Sequence, residues 1–394
     1  MAKKNSQRGA ILIIVLWFVV IVTIMITVLA SETRLSAKAV FYNKLGLQAW
    51  NDTLQALRSA EMELLINKMP DPPGVEDVPL SERKNKKYRF DGRVLDLAYP
   101  IPDSVTVRIY DHAGKINLQR LSKQKLRQLL EKRIGNDPEK LGVLEDAWHD
   151  WIDGDELKRI NGAEKDYYET LSPPYEPRNS RLETVEELLL IKGFAEVFKG
   201  VEMNNAFTVY GNKTGVNPNL ATREALMLLP GMSGDTIETI MTKRREEEFK
   251  SYSDFNEFME PEQLAEFRSW VNFSTTHFFT IAVQVKEAEE IDKLASTTDE
   301  SQNTDEKRDE NSFSDSTTIQ SASTEKQYAY MLTVKPKGVN KLPIRLMVYP
   351  YGVLPDTQHE QFLSDDDDDK KGSYNNQSKP FQNKSSSQFT SMPF

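Results

Sequence analysis

The chain has 394 residues, 39% of them hydrophobic and 28% charged, with a formal net charge of -10. That length accommodates two folded domains plus tails, and the acidic balance disfavours an intrinsic affinity for nucleic acid. The absence of cysteine excludes disulfides, thiolate metal sites and cysteine nucleophiles, and it is compatible with a reducing or an oxidising compartment.

Residues 10–30 carry no charge and are nearly all aliphatic or aromatic, with Thr23 and Thr27 as polar interruptions. About 20 apolar residues at about 1.5 Å each match a bilayer core of about 30 Å, so this segment reads as a membrane span. Lys3, Lys4 and Arg8 precede it and Glu32 is the first charge beyond, which predicts a cytoplasmic N-terminus and an exported body. Three readings compete. A cleaved signal peptide has a shorter apolar region and a small-x-small site, whereas Val28-Leu29-Ala30 lacks the first small residue. A plain signal anchor needs nothing more than the span. A prepilin leader is a short basic peptide ending in glycine directly before the apolar run, as Arg8-Gly9-Ala10 does.

Leu47, Trp50, Leu54, Leu57, Ala60 and Leu64 continue at steps of three or four, and no proline occurs before Pro70. One helix over 10–68 is predicted, the alternative being a separate surface helix after a break near Ser31. Residues 70–79 are a proline-rich, acidic turn region, and 88–99 and 105–110 read as short strands followed by a turn at 111–115. Helical periodicity dominates from Leu118 to about Phe267, and strand patterns return at 273–285, 328–334 and 344–349. The order suggests an α+β fold with a helical domain inserted between strands. Segments 296–326 and 364–394 are polar or acidic and are expected to be disordered.

Two motifs bear on chemistry. Asp150, Asp153, Asp155 and Glu156 surround Gly154, and Gly162, Glu164 and Asp166 follow. Hard oxygen donors around a glycine turn are what calcium requires, and a solvated acidic loop is the alternative. The Asp153-x-Asp155 step resembles the start of an EF-hand loop and Glu164 takes its twelfth position, but Lys158, Arg159 and Gly162 do not match the ligand pattern. Leu182–Gly193 and Leu220–Gly231 are similar units, each a short capped helix ending in glycine, and the second continues into a helix-hairpin-helix-like run. Nucleic-acid-binding versions hold a phosphate on hairpin N–H groups. Here Asp235 follows the hairpin and Glu246, Glu247 and Glu248 offset Lys243, Arg244 and Arg245, which favours a packing module. No enzyme signature occurs, and His112, His149, His277 and His359 are scattered.

The Arg8-Gly9 junction, the turn at 111–118, Trp151-Ile152-Asp153-Gly154-Asp155, Gly162-Ala163-Glu164 with Tyr167-Tyr168, Pro173-Pro174-Tyr175, Val185-Glu186-Glu187-Leu188 and Thr208-Val209-Tyr210-Gly211 occur in order. Together they resemble general secretion pathway protein K, the large minor pseudopilin family of type II secretion, across roughly residues 8–285. The resemblance implies a pilin-like fold: a leader at 1–9, a transmembrane part at 10–30, helix and first strands at 31–116, an inserted all-α domain at 117–270, and sheet strands at 271–295 and 327–363. It also implies cleavage between Gly9 and Ala10 by a prepilin peptidase, methylation of the new amine, and no enzymatic activity. Calcium is expected in the inserted domain, at Asp153, Asp155, Glu164 and Asp166. The implied partners are the minor pseudopilins I and J and the major pseudopilin, in a periplasmic fibre anchored in the bacterial inner membrane. Pilins place an acidic residue at the fifth mature position, and here that position is Ile14. The competing classes are a membrane-anchored DNA receptor of the competence type, a minor pilin of a related type IV pilus and a signal-anchored periplasmic enzyme.

Overall fold

The computed structural model describes residues 7–69, 88–286, 327–338 and 341–355. The turn region at 70–79, the two segments expected to be disordered and residues 1–6 of the leader lie outside the described residues. The chain divides into two compact units, Met1–Gln55 and Ala56–Phe394. Helix α1, Gln7–Lys68, runs unbroken past Ser31 over roughly 90 Å, so no separate surface helix forms.

In the first unit, residues 13–44 of α1 are exposed throughout. The hydroxyls of the apolar run turn back onto the helix: Thr23 Oγ1 donates to the Val19 carbonyl and Thr27 Oγ1 to the Thr23 carbonyl, both at 2.8 Å. Satisfied in this way, a threonine can face lipid at little cost. Among the described residues α1 is the one helix long and apolar enough to cross a membrane.

The second unit holds a five-stranded antiparallel sheet ordered β1-β2-β5-β6-β7, comprising β1 Asp91–Val94, β2 Val105–Asp111, β5 Phe279–Val285, β6 Tyr328–Lys335 and β7 Ile344–Val353. A further pair, β3 Ile116–Asn117 and β4 Phe207–Thr208, is parallel. Alternation along the strands sends Val105, Val107 and Ile109, then Ile281 and Val283, then Leu332 and Val334 to one face, where Ile109 stands opposite Ile281 and Ile281 opposite Leu332. Ala56, Leu57, Ala60 and Leu64 of α1, at helical spacing, close that face. Two glutamates of the same helix are buried with partners. Glu61 accepts from Arg58 Nη1 at 3.0 Å and Arg345 Nε at 2.9 Å, and Glu63 accepts from the Ala98 N–H at 2.9 Å.

Two strand expectations need correction. The first edge strand covers only 91–94, because Asp91 collects Arg89 and Arg93 and the register shifts beside it. The strand expected from 273 begins at 279, because Asn272 Oδ1 accepts from the Ser274 N–H at 2.7 Å and turns the chain.

The neighbours β2 and β5 could be joined by a tight hairpin, yet residues 112–278 lie between them. That insertion carries α2 Lys123–Ile134, α3 Pro138–Ile152, α4 Lys165–Tyr168, α5 Phe194–Val197, α6 Met203–Ala206, α7 Arg223–Leu228, α8 Gly234–Glu246 and α9 Pro261–Arg268. Its core is separate from that of the sheet and is built around Leu129, Leu144, Trp148, Phe194, Ile240 and Trp270. Entry and exit are fastened together. Asp111 accepts from Thr276 Oγ1 at 2.6 Å, and His112 sits between Thr208 Oγ1 at 2.7 Å and Thr280 Oγ1 at 2.8 Å. A Cβ on Gly114 would collide with the Leu220 carbonyl, so the turn requires glycine for close approach.

Candidate functional site

Helix α3 starts on Asp137, whose Oδ1 accepts from the Glu139 and Lys140 N–H groups at 3.2 Å, with Pro138 in the first turn. Its apolar face is Leu141, Leu144, Trp148 and Trp151, all buried. Asp150 lies on the last turn, fully buried beside Trp151, and Asp153 closes the helix. The chain then loops out through 154–161, every residue exposed, and returns at Gly162, Ala163 and Glu164 to begin α4. A Cβ on Gly162 would collide with the Asp150 carboxylate, so glycine is what lets the return strand approach. Below lies an aromatic wall, with Trp151 and Tyr168 edge to face at 5.1 Å and Tyr175 5.2 Å beyond. Lys192 Nζ donates to the Asn161 and Gly162 carbonyls at 3.1 and 3.2 Å and holds the return in place.

The electrostatics at this end of α3 are unbalanced. Glu164 is 4% exposed, and both of its carboxylate oxygens, together with Asp153 Oδ1, are buried without a hydrogen-bond partner among the described residues. Burial, reinforced by Asp150, Asp153, Asp155 and Glu156, pushes the Glu164 carboxyl up to about 7. Burial also raises Asp150, against the Arg159 and Ala163 N–H groups and the Arg159 charge, which favour its ionised form. Arg159 Nη1 lies 3.3 Å from Asp150 Oδ1 and 3.0 Å from Asp153 Oδ2.

Of the expected ligands, the structure brings Asp153 and Glu164 into one acidic pocket. Asp155 is exposed on the loop, its Oδ1 accepting from the Leu157 N–H at 2.9 Å, and Asp166 is exposed in the first turn of α4. Asp150 belongs to the group and was not among the expected ligands. Its signal was present, since it precedes Asp153 by one helical turn and so shares its face. Among the described residues no three acidic or imidazole side chains stand ready to hold a metal.

The other motifs resolve as packing. Gly193 and Gly231, equivalent in the two similar units, share a left-handed backbone, φ 83° and 74°, but the first unit is a 3-10 helix, Glu186–Leu190, where the second is α7. A Cβ on Gly231 would collide with the Gln263 carbonyl, and Lys132 Nζ donates to the Met232 carbonyl at 2.7 Å, so the hairpin is packed against α9 and α2. Arg244 is fully buried and donates to the Pro218 and Ala221 carbonyls, and Lys243 pairs with Glu257. Arg244 is thus committed inside the fold, and Lys243 to a surface ion pair. Gly9 and Ala10 lie within α1, as does Ile14, which is 68% exposed. His149 is half-buried.

The family Type II secretion system (T2SS), protein K, first domain, matches residues 113–199, which begin at the junction turn and include the acidic pocket. Type II secretion system protein K of Pectobacterium carotovorum is 27% identical over 199 residues, covering 48% of this chain and 59% of that protein. The Aeromonas hydrophila protein of the same name is 26% identical over 254 residues, covering 62% and 76%. The chain thus spans less than two thirds of the length of the first of these relatives. A chain in the crystal structure of the GspK-GspI-GspJ complex from the enterotoxigenic Escherichia coli type 2 secretion system aligns over 79% of this chain and 98% of its own, with a TM-score of 0.43 and 12% identity. The similarity to the protein K family read from the sequence is thereby upheld.

Proposed function

We propose that the chain is a minor pseudopilin of type II secretion that sits at the tip of a periplasmic pseudopilus and initiates or caps it for protein export. Its N-terminus stays cytoplasmic, α1 passes once through the bacterial inner membrane, and the second unit lies in the periplasm. Its partners are the minor pseudopilins I and J, the major pseudopilin, and the prepilin peptidase that cuts between Gly9 and Ala10 before the new amine is methylated.

Ile14 carries this reading. After cleavage it is the fifth residue, and it is apolar and exposed on α1. In a fibre of pilin-like subunits a carboxylate at that position neutralises the amine of the subunit ahead, and a carboxylate left unpaired in lipid is costly. A subunit with isoleucine there needs none ahead, while its own Ala10 amine still receives one from behind. Fibres assembled with labelled full-length chain test this: label at one end is expected, and label along the shaft would overturn it. Ile14→Glu should give no gain in assembly.

Calcium is part of the proposal. Glu164 and Asp153 present buried, unpartnered oxygens in an acidic pocket, with Asp150 behind them and Asp155 on the same loop, which is the donor chemistry calcium takes. A bound ion would neutralise this group, and these residues would fix the loop at 153–164 to the end of α3. Asp166, exposed as it stands, joins only by movement of the first turn of α4.

A further inference from the structure

The pocket is acidic, yet two of its carboxylates are not left to repel one another. Arg159 reaches both, with Nη1 at 3.3 Å from Asp150 Oδ1 and 3.0 Å from Asp153 Oδ2. Its own N–H adds a backbone bond to Asp150 Oδ2 at 3.2 Å. The guanidinium therefore bridges the two carboxylates from the position of a shared counter-ion. Arg159 is nevertheless poorly anchored. Its side chain is 40% exposed, and the loop that carries it contributes nothing to the core, with Leu157 77% and Ile160 94% exposed. Glu164, the deepest unpartnered carboxylate, receives nothing from it.

We infer that Arg159 is a built-in counter-ion that occupies the acidic pocket when calcium is absent and is displaced when calcium enters, so that it sets the affinity of the site. The inference rests on the calcium reading above. The geometry supplies its cause. A divalent ion drawing on Asp150 or Asp153 would meet the guanidinium already bonded to both, so the two cations compete for the same oxygens. Because the loop is solvent-exposed from 154 to 161, withdrawing the side chain disrupts no packing, and the exchange is reversible. It also accounts for the lack of a ready-made metal group among the described residues, since the pocket is drawn to a peptide cation.

The test compares the full-length protein in detergent with Arg159→Met and Arg159→Lys, by calcium titration calorimetry and by thermal melting in chelator and in excess calcium. Arg159→Met should melt lower than wild type in chelator and bind calcium about five- to tenfold more tightly, the scale of a half-exposed ion pair. Arg159→Lys, a point charge without the fork, should bind several-fold more tightly and decides the matter if the methionine variant does not fold. A purely structural arginine would lower melting in both conditions and leave affinity unchanged or weaker, which would overturn the inference while wild type still binds calcium. If wild type itself does not bind calcium, the calcium reading fails and this inference falls with it.

Discussion

Replacing Glu164 with glutamine removes the charge of the pocket's buried, unpartnered carboxylate and keeps its shape. In metal-free protein this should stabilise the fold above neutral pH. The carboxyl is 4% exposed and lifted from an ordinary 4.5 to about 7, first by burial and then by Asp150, Asp153, Asp155 and Glu156. Below pH 4.5 it is protonated whether folded or unfolded and contributes nothing. Between 4.5 and 7 the unfolded chain releases the proton and the folded chain retains it, so stability falls as pH rises. Above 7 the full cost is present, about 3 kcal/mol. In chelator at pH 8 the glutamine variant should exceed wild type by up to that amount, and near pH 4 the two should coincide. If calcium binds as proposed, it should close most of this gap, since at a hundredfold excess over its dissociation constant it adds about 2.7 kcal/mol to wild type and much less to the variant. Urea unfolding of the full-length protein in detergent, followed by fluorescence of the buried Trp148, Trp151 and Trp270, reads both effects. A variant less stable than wild type in chelator at pH 8 would refute the reasoning.

Leu64→Ala empties a fully buried position between α1 and the sheet and should cost about 2–5 kcal/mol, seen as a lower urea midpoint. Gly162→Ala drives a methyl into the Asp150 carboxylate and should cost about 1–3 kcal/mol and abolish any calcium-dependent rise in melting temperature. Lys115 is buried, donates to the Asn204 carbonyl at 2.5 Å, and is held by burial at about 8, below its ordinary 10.5. Its cost is therefore full below pH 8 and relieved as pH rises from 8 to 10.5; Lys115→Met should flatten that rise in a pH series of melts. Intact-mass measurement of the membrane form should show loss of residues 1–9 and one added methyl, and an uncut N-terminus would remove the basis for placing Ile14 fifth.

What the sequence disclosed follows from which interactions are local. Helix α1 was legible because a charge-free run and a three-to-four spacing meet with no proline before Pro70. Strands β2 and β6 were legible from their β-branched and aromatic residues, although both faces of each are largely buried. The edge strand β1 was overestimated because apolar letters at 88–99 do not reveal that Tyr88 and Phe90 pack while Asp91 gathers two arginines. In the acidic region, composition pointed to calcium, but counting positions along an EF-hand frame hid Asp150, which enters the pocket through the fold-back at Gly162. Arg159 looked like a mismatch to the ligand pattern because its role depends on a loop returning to the helix it left.

The same distinction explains why His112 passed as a scattered histidine. Its partners, Thr208 and Thr280, lie 96 and 168 residues away, and Thr280 continues to Thr333 at 3.1 Å. Burial holds the imidazole well below its ordinary value, so it stays neutral and fits between two hydroxyls. An insertion entering at residue 112 and leaving at 278 would hinge freely if only the chain crossings joined it to the sheet. Instead, Asp111 binds Thr276 across the crossing, His112 ties β4 to β5, and Lys115 reaches the Asn204 carbonyl. The first two are buried and the third partly so, and breaking the buried ones would leave unsatisfied polar groups if the insertion swung away. The helical block is thus set in one orientation on the sheet.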